Sequence, residues 1–307
     1  MKKLLFYAMT ASLLLAMAGC QSNILPSSNT LIPSDGKLTI QATFEIPSFE
    51  TKTTLDENGH FTWNPKDAIS LFYGSGTKGG SKFVSDLESN DRISSFSGNI
   101  SAVTGVSESS ADDLMFWGLY PYDPDASCDG QTVTTTLKPE QVGMANSFAP
   151  GMAPSLGRAP GLLLAFRNIY SGLTFTVTEP GFVSLTFSSN GGENIAGRAK
   201  IGIGSDSNPE VREYVDGTNV VTLTAPTTDG FEVGKTYYLL FYPQTLSSGF
   251  KLELKSAAKT GVLQLNSSFN FRRNLPMSAN NLDKNMTFTS QPNTEIIQGG
   301  SNPDISW

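Results

Sequence analysis

Histidine and cysteine are nearly absent from this chain. Among 307 residues there are one histidine and two cysteines. Two cysteines cannot form a disulfide-rich scaffold or a cysteine-based metal site, and one histidine leaves little room for histidine chemistry. Helical patterns are lacking too, since no window of about 12 residues carries an apolar helical stripe with caps. These absences disfavour metal-dependent and histidine-dependent enzymes.

Charge is scarce, and its balance is acidic. Charged residues make up 16% of the chain and the formal net charge is −7, whereas soluble domains typically have roughly 25% charged residues. A pI near 4.8 disfavours a nucleic-acid-binding protein, because phosphate contacts require a basic face. The low content of charged residues also disfavours charge-driven disorder. The length predicts about two folded domains.

The first 19 residues have the layout of a secretory signal peptide. A short positive start precedes an apolar stretch, and small residues come before Cys20. Residues 17–20 resemble a lipobox, in which the cysteine is acylated and the chain is cut, here between Gly19 and Cys20. We therefore predict a signal peptide over 1–19 and a lipid on Cys20 that holds the exported chain on a membrane. A signal peptide without lipidation is the alternative.

A tether and a series of β-strands follow the signal. Residues 20–36 are rich in Ser, Asn and Pro without a regular apolar period, which is typical of a flexible tether. Apolar and polar residues alternate strictly from 37 to 46, which predicts a half-buried strand. Short stretches rich in aromatic and β-branched residues predict further strands at 69–73, 115–120, 132–137, 173–177, 183–187, 220–223, 237–242, 250–254 and 262–265. The chain is therefore predicted to be all-β, with sandwich architecture.

A loop-like segment at 144–161 divides these strands into two groups. It contains three prolines and no strand alternation. The aromatic stretches 116–121 and 238–243 both end in Tyr-Pro at corresponding stages of the two groups, which is weak support for duplication. The predicted division is an N-terminal β-sandwich over 37–158, a C-terminal β-sandwich over 159–289 and a tail over 290–307.

Several short motifs resemble those of the fimbrillin family, whose members are subunits of type V pili in certain Gram-negative bacteria. Residues 62–72 are similar to the family signature Trp-x-x-Gly-Asp-x-Ile-x-Val-Phe, with Lys66 in place of the glycine. Other matches follow in the family's order, at 95–100, 120–122, 137–141, 147–148, 164–168, 173–175, 195–197, 234–238, 242–246 and 249–250. Their order along the chain, after a lipoprotein-like signal, carries the resemblance.

The resemblance implies two transthyretin-like Greek-key β-sandwich domains in tandem and a structural role without catalysis. Family subunits are exported as lipoproteins, a trypsin-like protease removes the N-terminal strand, and a strand of the next subunit fills the vacated groove. Such an exchange covers apolar surface and unpaired backbone, and head-to-tail contacts propagate into filaments. The implied partners are other pilus subunits, the outer membrane through the lipid, and a host or bacterial surface ligand.

The strand that corresponds to the removed one is 37–46, but cleavage after an early arginine has no matching site. The first arginine is Arg92, and the only Lys or Arg residues between the signal peptide and Lys66 are the candidate maturation sites Lys37 and Lys52. Two forms therefore stay open: a polymerising pilin, and an anchor or accessory subunit that stays lipidated at Cys20.

Other kinds of site have less support. His60 is expected to be a solvated residue at a hairpin tip. Residues 230–236 resemble a phosphate loop, but they are one residue short and lead into a strand. For the loop with Asp123, Asp125 and Asp129, calcium binding is an alternative to a solvated acidic turn. We predict no catalytic residue, metal, cofactor or nucleic-acid partner.

A second class of function also stays open. A monomeric surface lipoprotein could bind glycan or host protein through sandwich loops, with Trp63 and Trp117 stacking on sugars. Their places within strand patterns favour a role in the core instead. Cys128 has no neighbouring His or Lys in sequence to lower its pKa, so a nucleophile is not expected there. In either class the predicted location is the cell surface, on the outer membrane or in a fimbrium.

Overall fold

The computed structural model describes residues 37–45, 62–73, 77–100 and 115–290. Within these ranges the regular elements are β-strands and one short 3-10 helix, Leu282–Asn285, so the predicted all-β class is confirmed. The signal peptide, the tether and all but the first residue of the tail lie outside the described residues. Residues 46–61 lie outside them too, so the predictions made for Gly19, Cys20, Lys52 and His60 stay predictions.

The strands are numbered in chain order. Their bounds are β1 Lys37–Phe44, β2 Ala68–Tyr73, β3 Thr77–Lys78, β4 Ser81–Ser85, β5 Ile93–Asn99, β6 Met115–Tyr120, β7 Ser127–Cys128, β8 Val133–Leu137, β9 Glu140–Val142, β10 Ser155–Pro160, β11 Leu163–Asn168, β12 Ser171–Phe175, β13 Phe182–Ser189, β14 Ala196–Ile203, β15 Pro209–Thr218, β16 Val220–Thr224, β17 Tyr237–Phe241, β18 Gln244–Leu246, β19 Phe250–Ser256, β20 Lys259–Leu265, β21 Phe269–Phe271, β22 Met277–Ala279 and β23 Thr287–Ser290. Every strand predicted from alternation or from aromatic and β-branched content is present, because side chains of period two bury one face of a strand.

Seven strands form one sheet that closes on itself, in the order β1, β11, β10, β6, β2, β4, β5 and back to β1. The core inside this sheet is largely aromatic, with Trp63, Phe96, Phe116 and Phe166 all buried. Leu38, Ile40 and Ala42, the inward residues of β1, complete it. β1 is therefore an integral part of the first core rather than an appendage.

The remaining strands form two larger and two smaller sheets. The larger ones have the orders β23, β20, β19, β13, β16, β9 and β15, β14, β8, β7, β3, and the smaller ones β17, β12, β22 and β18, β21. A second core contains Phe187, which stacks on Phe241 and Phe250 at ring-centroid distances of 4.6 and 5.0 Å. A third cluster joins Trp117 to Tyr242, residues from the two halves of the chain.

Strand pairing crosses the predicted boundary between residues 158 and 159. β10 pairs with β11, β8 pairs with β14, and β9 pairs in parallel with β16. The side chain of Gln141 in β9 also binds strand β17, accepting a hydrogen bond from the N–H of Leu240 at 3.0 Å and donating to its carbonyl at 2.7 Å. The two halves thus share sheets and a core cluster, and the division into two sandwich domains stays a prediction.

Candidate functional site

The candidate site is the slot that β1 occupies between β5 and β11. β1 runs antiparallel to β5 in a register of seven residue pairs and parallel to β11 in a register of four. Both of its backbone edges are therefore paired. Its alternate side chains Leu38, Ile40 and Ala42 are buried, while Lys37 and Thr39 face solvent. A strand with two paired edges and one buried face is held by both hydrogen bonds and apolar burial.

Trp63 closes one side of the slot. Its ring stacks on Phe44 with the centroids 3.8 Å apart, and its edge contacts include Phe96 at 4.8 Å and Phe166 at 5.4 Å. The indole Nε1–H donates a 3.1 Å hydrogen bond to the carbonyl of Ala42 in the middle of β1. The tryptophan of the fimbrillin-like motif is thus a clamp on β1, and its buried ring offers no face to a sugar.

The turn after Trp63 is shaped by the rest of that motif. Asn64 and Asp67 are joined by a backbone hydrogen bond of 3.2 Å, and the Asp67 carboxylate accepts the N–H of Asn64 at 2.8 Å and the hydroxyl of Tyr120 at 3.2 Å. Burial raises the pKa of Asp67 above its usual value, although these hydrogen bonds act to lower it. Lys66 has a φ of 68°, the left-handed conformation that favours the glycine of the family signature.

The slot ends in polar groups from distant parts of the chain. Glu45, directly after β1, forms an ion pair with Arg273, and its carboxylate accepts the N–H of Asn168 at 2.7 Å. Neither Glu45 nor Arg273 was predicted from the sequence. No local pattern could have paired them, because 228 residues separate them.

The carboxylates of the acidic loop accept hydrogen bonds from neighbouring protein groups. Asp123 accepts hydrogen bonds from the N–H of Asp125 and the hydroxyl of Thr135, both at 2.9 Å. Asp129 accepts the N–H of Thr132 at 2.6 Å, and such hydrogen bonds keep its pKa below the usual value against the opposing effect of partial burial. No three His, Cys, Asp or Glu side chains come together as metal ligands in the part of the chain that the structure describes.

Two further residues that the sequence singled out are parts of the core. Cys128 in β7 is buried, and burial raises the pKa of its thiol, which disfavours the reactive thiolate. Trp117 in β6 is buried as well, with the guanidinium of Arg158 5.0 Å from its ring. The residues 230–236 that resemble a phosphate loop lead into β17, a strand, as expected.

A surface groove lies beside the acidic loop. Its volume is about 930 Å³, and its walls include Tyr122, Asp125, Lys138, Glu140 and Arg198. The guanidinium of Arg198 donates to the carbonyl of Asp125 at 3.0 Å across it. This groove is the described feature that best suits the alternative of ligand binding through loops. Across the described ranges there is no helix with the length and hydropathy that a membrane span requires.

No protein-family model and no curated protein matches the chain. Among solved structures, it is similar to a candidate cell adhesion protein from Bacteroides uniformis, with 14% identity, coverage of 84% of this chain and 98% of the other, and a TM-score of 0.48. A candidate cell adhesion protein from Bacteroides ovatus has 11% identity and a TM-score of 0.46, and the match covers 83% of this chain and 96% of the other. The tip fimbrial protein Mfa3 from Porphyromonas gingivalis, with C-terminal truncation, has 9% identity and a TM-score of 0.35, and the match covers 75% of this chain and 81% of the other.

Proposed function

We propose that the chain is a non-enzymatic structural subunit or anchor of a surface pilus, assembled by strand exchange at the β1 position and supporting cell adhesion. The observation that carries the proposal is the placement of β1. An N-terminal strand fills a slot between β5 and β11 that another strand of the same pattern could fill. Membership of the fimbrillin family, the lipid on Cys20 and an outer-membrane or fimbrial location belong to the same proposal.

Loss of β1 would leave a surface that requires a replacement. The edges of β5 and β11 would be unpaired, and Phe96, Leu164 and Phe166, now buried, would line an open groove. Each large apolar side chain contributes about 1.5 to 3 kcal/mol when fully buried, so Leu38 and Ile40 together account for about 3 to 6 kcal/mol. A strand donated by another subunit would recover both the hydrogen bonds and this burial.

The two candidate maturation sites differ in their consequences. Lys37 is the first residue of β1, so cleavage after it would leave residues 38–44 of the strand on the chain. Cleavage after Lys52 would break the covalent link between the whole of β1 and the rest of the chain. We therefore propose Lys52 as the cleavage site of a polymerising form, whereas an anchor would keep β1 and the lipid on Cys20.

The test is the state of the protein on cells that make it. We expect an unheated SDS gel to show either a ladder that resists SDS or a single species that co-purifies with pilus fragments. In the polymerising form the mature N-terminus is Thr53, and Lys52→Gln abolishes the ladder while the matched variant Lys37→Gln keeps it. In the anchor form mass spectrometry finds an acylated Cys20, and Cys20→Ala releases the protein from the membrane.

A monomer that joins no pilus fraction, before and after trypsin treatment, would contradict the proposal. It would favour the alternative of a monomeric surface lipoprotein that binds glycan or host protein, for which the groove beside Arg198 is the candidate site. Unchanged membrane retention of Cys20→Ala would contradict lipidation without bearing on assembly.

A further inference from the structure

The polar end of the β1 slot is a carboxylate-binding pocket. The N–H of Glu45 donates to the carbonyl of Phe166 at 2.9 Å, which continues the pairing of β1 with β11 past the last strand residue. The side chain then meets the guanidinium of Arg273 and the N–H of Asn168. Only 17% of the Glu45 side chain and 18% of the Arg273 side chain are exposed to solvent. Screening by water is correspondingly reduced, so the pair depends on its protein contacts.

The pocket is built from the part of the chain that stays when β1 leaves. Arg273 is fixed by two further hydrogen bonds, to the carbonyl of Asn168 at 3.0 Å and to Oδ1 of Asn208 at 2.8 Å. Oδ1 of Asn208 also accepts a hydrogen bond from Arg167 at 2.8 Å. The Asn168 side chain is held in turn by 2.8 Å hydrogen bonds to Ser155 and Asn274. The receptor is thus preorganised, and Glu45 is the one member that β1 and its following residue supply.

A buried tyrosine lies next to this pocket in the chain and in its backbone hydrogen bonding. The hydroxyl of Tyr170 is buried and has no hydrogen-bond partner among the described residues. Burial raises the pKa of Tyr170, and the negative charge of Glu45 acts in the same direction. Its backbone carbonyl accepts the N–H of Asn274, which places it next to the asparagine network. A slot occupied by a strand without an anion would leave the charge of Arg273 without this carboxylate and the Asn168 N–H without its acceptor.

We propose that this pocket selects the strand that replaces β1, and the inference rests on the proposed strand exchange. In β1 the inward residues Leu38, Ile40, Ala42 and Phe44 alternate with outward ones, and Glu45 follows the last of them. The replacing strand must have the same pattern, with four alternating inward residues and a carboxylate directly after the fourth. The chain's own tail lacks this pattern. The corresponding positions before Glu295 hold Phe, Ser, Pro and Thr, and those before its other acid hold Ile, Gly, Ser and Pro. The tail of a second copy therefore does not fit the pocket, and the proposed replacing strand belongs to a different kind of subunit.

The test uses the full exported chain with a site-specific protease sequence inserted after Lys52. After cutting, the β1 fragment stays bound without a covalent link, and labelled peptides of residues 37–46 compete with it in fluorescence anisotropy. We expect the native peptide to displace the fragment at a concentration at least tenfold lower than the peptide with Glu45→Gln. In a chain with Arg273→Gln this ratio falls below twofold, whereas the exposed neighbour in Arg272→Gln leaves it unchanged.

The outcomes separate the two proposals. If both peptides enter the native chain equally well, strand exchange stands and carboxylate selection is overturned. If neither enters, strand exchange is overturned together with the selection that rests on it. If Arg273→Gln fails to fold, the comparison of the native and Glu45→Gln peptides on the native chain still tests carboxylate selection.

A second measurement needs no cleavage and no peptide. In the intact chain, Glu45→Gln should increase amide hydrogen exchange in β1 about tenfold, while Glu179→Gln, in an exposed ion pair with Lys259, leaves β1 unchanged. Equal exchange in the two variants would overturn the assignment of the pocket.

Discussion

Replacing Trp63 with phenylalanine tests whether this side chain holds β1 in its slot. The variant keeps an aromatic ring at a buried position but removes the Nε1–H that donates to the carbonyl of Ala42. The carbonyl keeps its place opposite Ser94 in the ladder with β5, so the loss is that of one hydrogen bond, about 0.5 to 1.5 kcal/mol. The smaller ring also leaves a gap against Phe44. Truncating a buried aromatic residue to alanine costs about 3 to 5 kcal/mol, and the smaller change from tryptophan to phenylalanine should cost about 1.5 kcal/mol in packing.

The free energy of unfolding of Trp63→Phe should therefore fall by about 2 to 3 kcal/mol, measured by urea denaturation. Because the lost contacts converge on β1, local opening of that strand should become easier by a similar amount. Every 1.4 kcal/mol corresponds to a tenfold change in an equilibrium, so amide exchange in β1 should accelerate about 30- to 100-fold. Hydrogen-exchange mass spectrometry of residues 37–45 measures this directly.

Trp117→Phe is the matched control. Trp117 is buried in β6, but it belongs to a different core cluster from Trp63 and from the buried β1 residues Leu38, Ile40 and Ala42. This variant should lose about 1 to 2 kcal/mol of packing and leave the exchange of β1 close to that of the native chain. Equal exchange of β1 in the two variants, or a loss below about 1 kcal/mol in Trp63→Phe, would refute the view that Trp63 clamps β1.

Two further predictions concern the motif turn and the buried thiol. Lys66→Gly should stabilise the chain by about 0.5 to 1 kcal/mol in urea denaturation, because glycine relieves the strain of a φ of 68° at an exposed position, and no gain would refute that strain. In a Cys20→Ser background, native Cys128 should react with an aromatic disulfide at pH 8 at least about a hundredfold more slowly than in the urea-unfolded chain, because it is buried and its pKa is raised. Comparable rates would show that the strand β7 opens readily.

The physical basis of the fimbrillin-like motifs is visible in particular contacts. Trp63 binds the carbonyl of Ala42, Gln141 pairs with both backbone groups of Leu240, and the hydroxyl of Tyr242 accepts the N–H of Leu137 at 3.1 Å. Each is a side chain that satisfies backbone groups of a strand distant in sequence. The motifs identify these side chains, but they do not predict which backbone groups the side chains bind.

The sequence by itself determined the class of the fold and many of the strands, although β14 and β15, of eight and ten residues, were not predicted. The alternation at 37–46 predicts β1 because the side-chain period of a strand is a local property, written in neighbouring residues. The short strands β7, β18 and β21 were not predicted, because two or three residues cannot display a period. The signal and lipid predictions are also local, and they lie outside the described residues.

Tertiary structure alone decided which strands meet. β1 pairs in parallel with β11, more than a hundred residues later, and strand pairing crosses the segment that sequence patterns favoured as a domain boundary. Glu45 meets Arg273 only because β11 and the loop after β21 converge at the end of the slot. Hydrophobic burial is nondirectional, so the pattern of a strand specifies which face is buried but not its neighbour. The neighbour is fixed by backbone pairing, packing and a few buried polar contacts between distant residues.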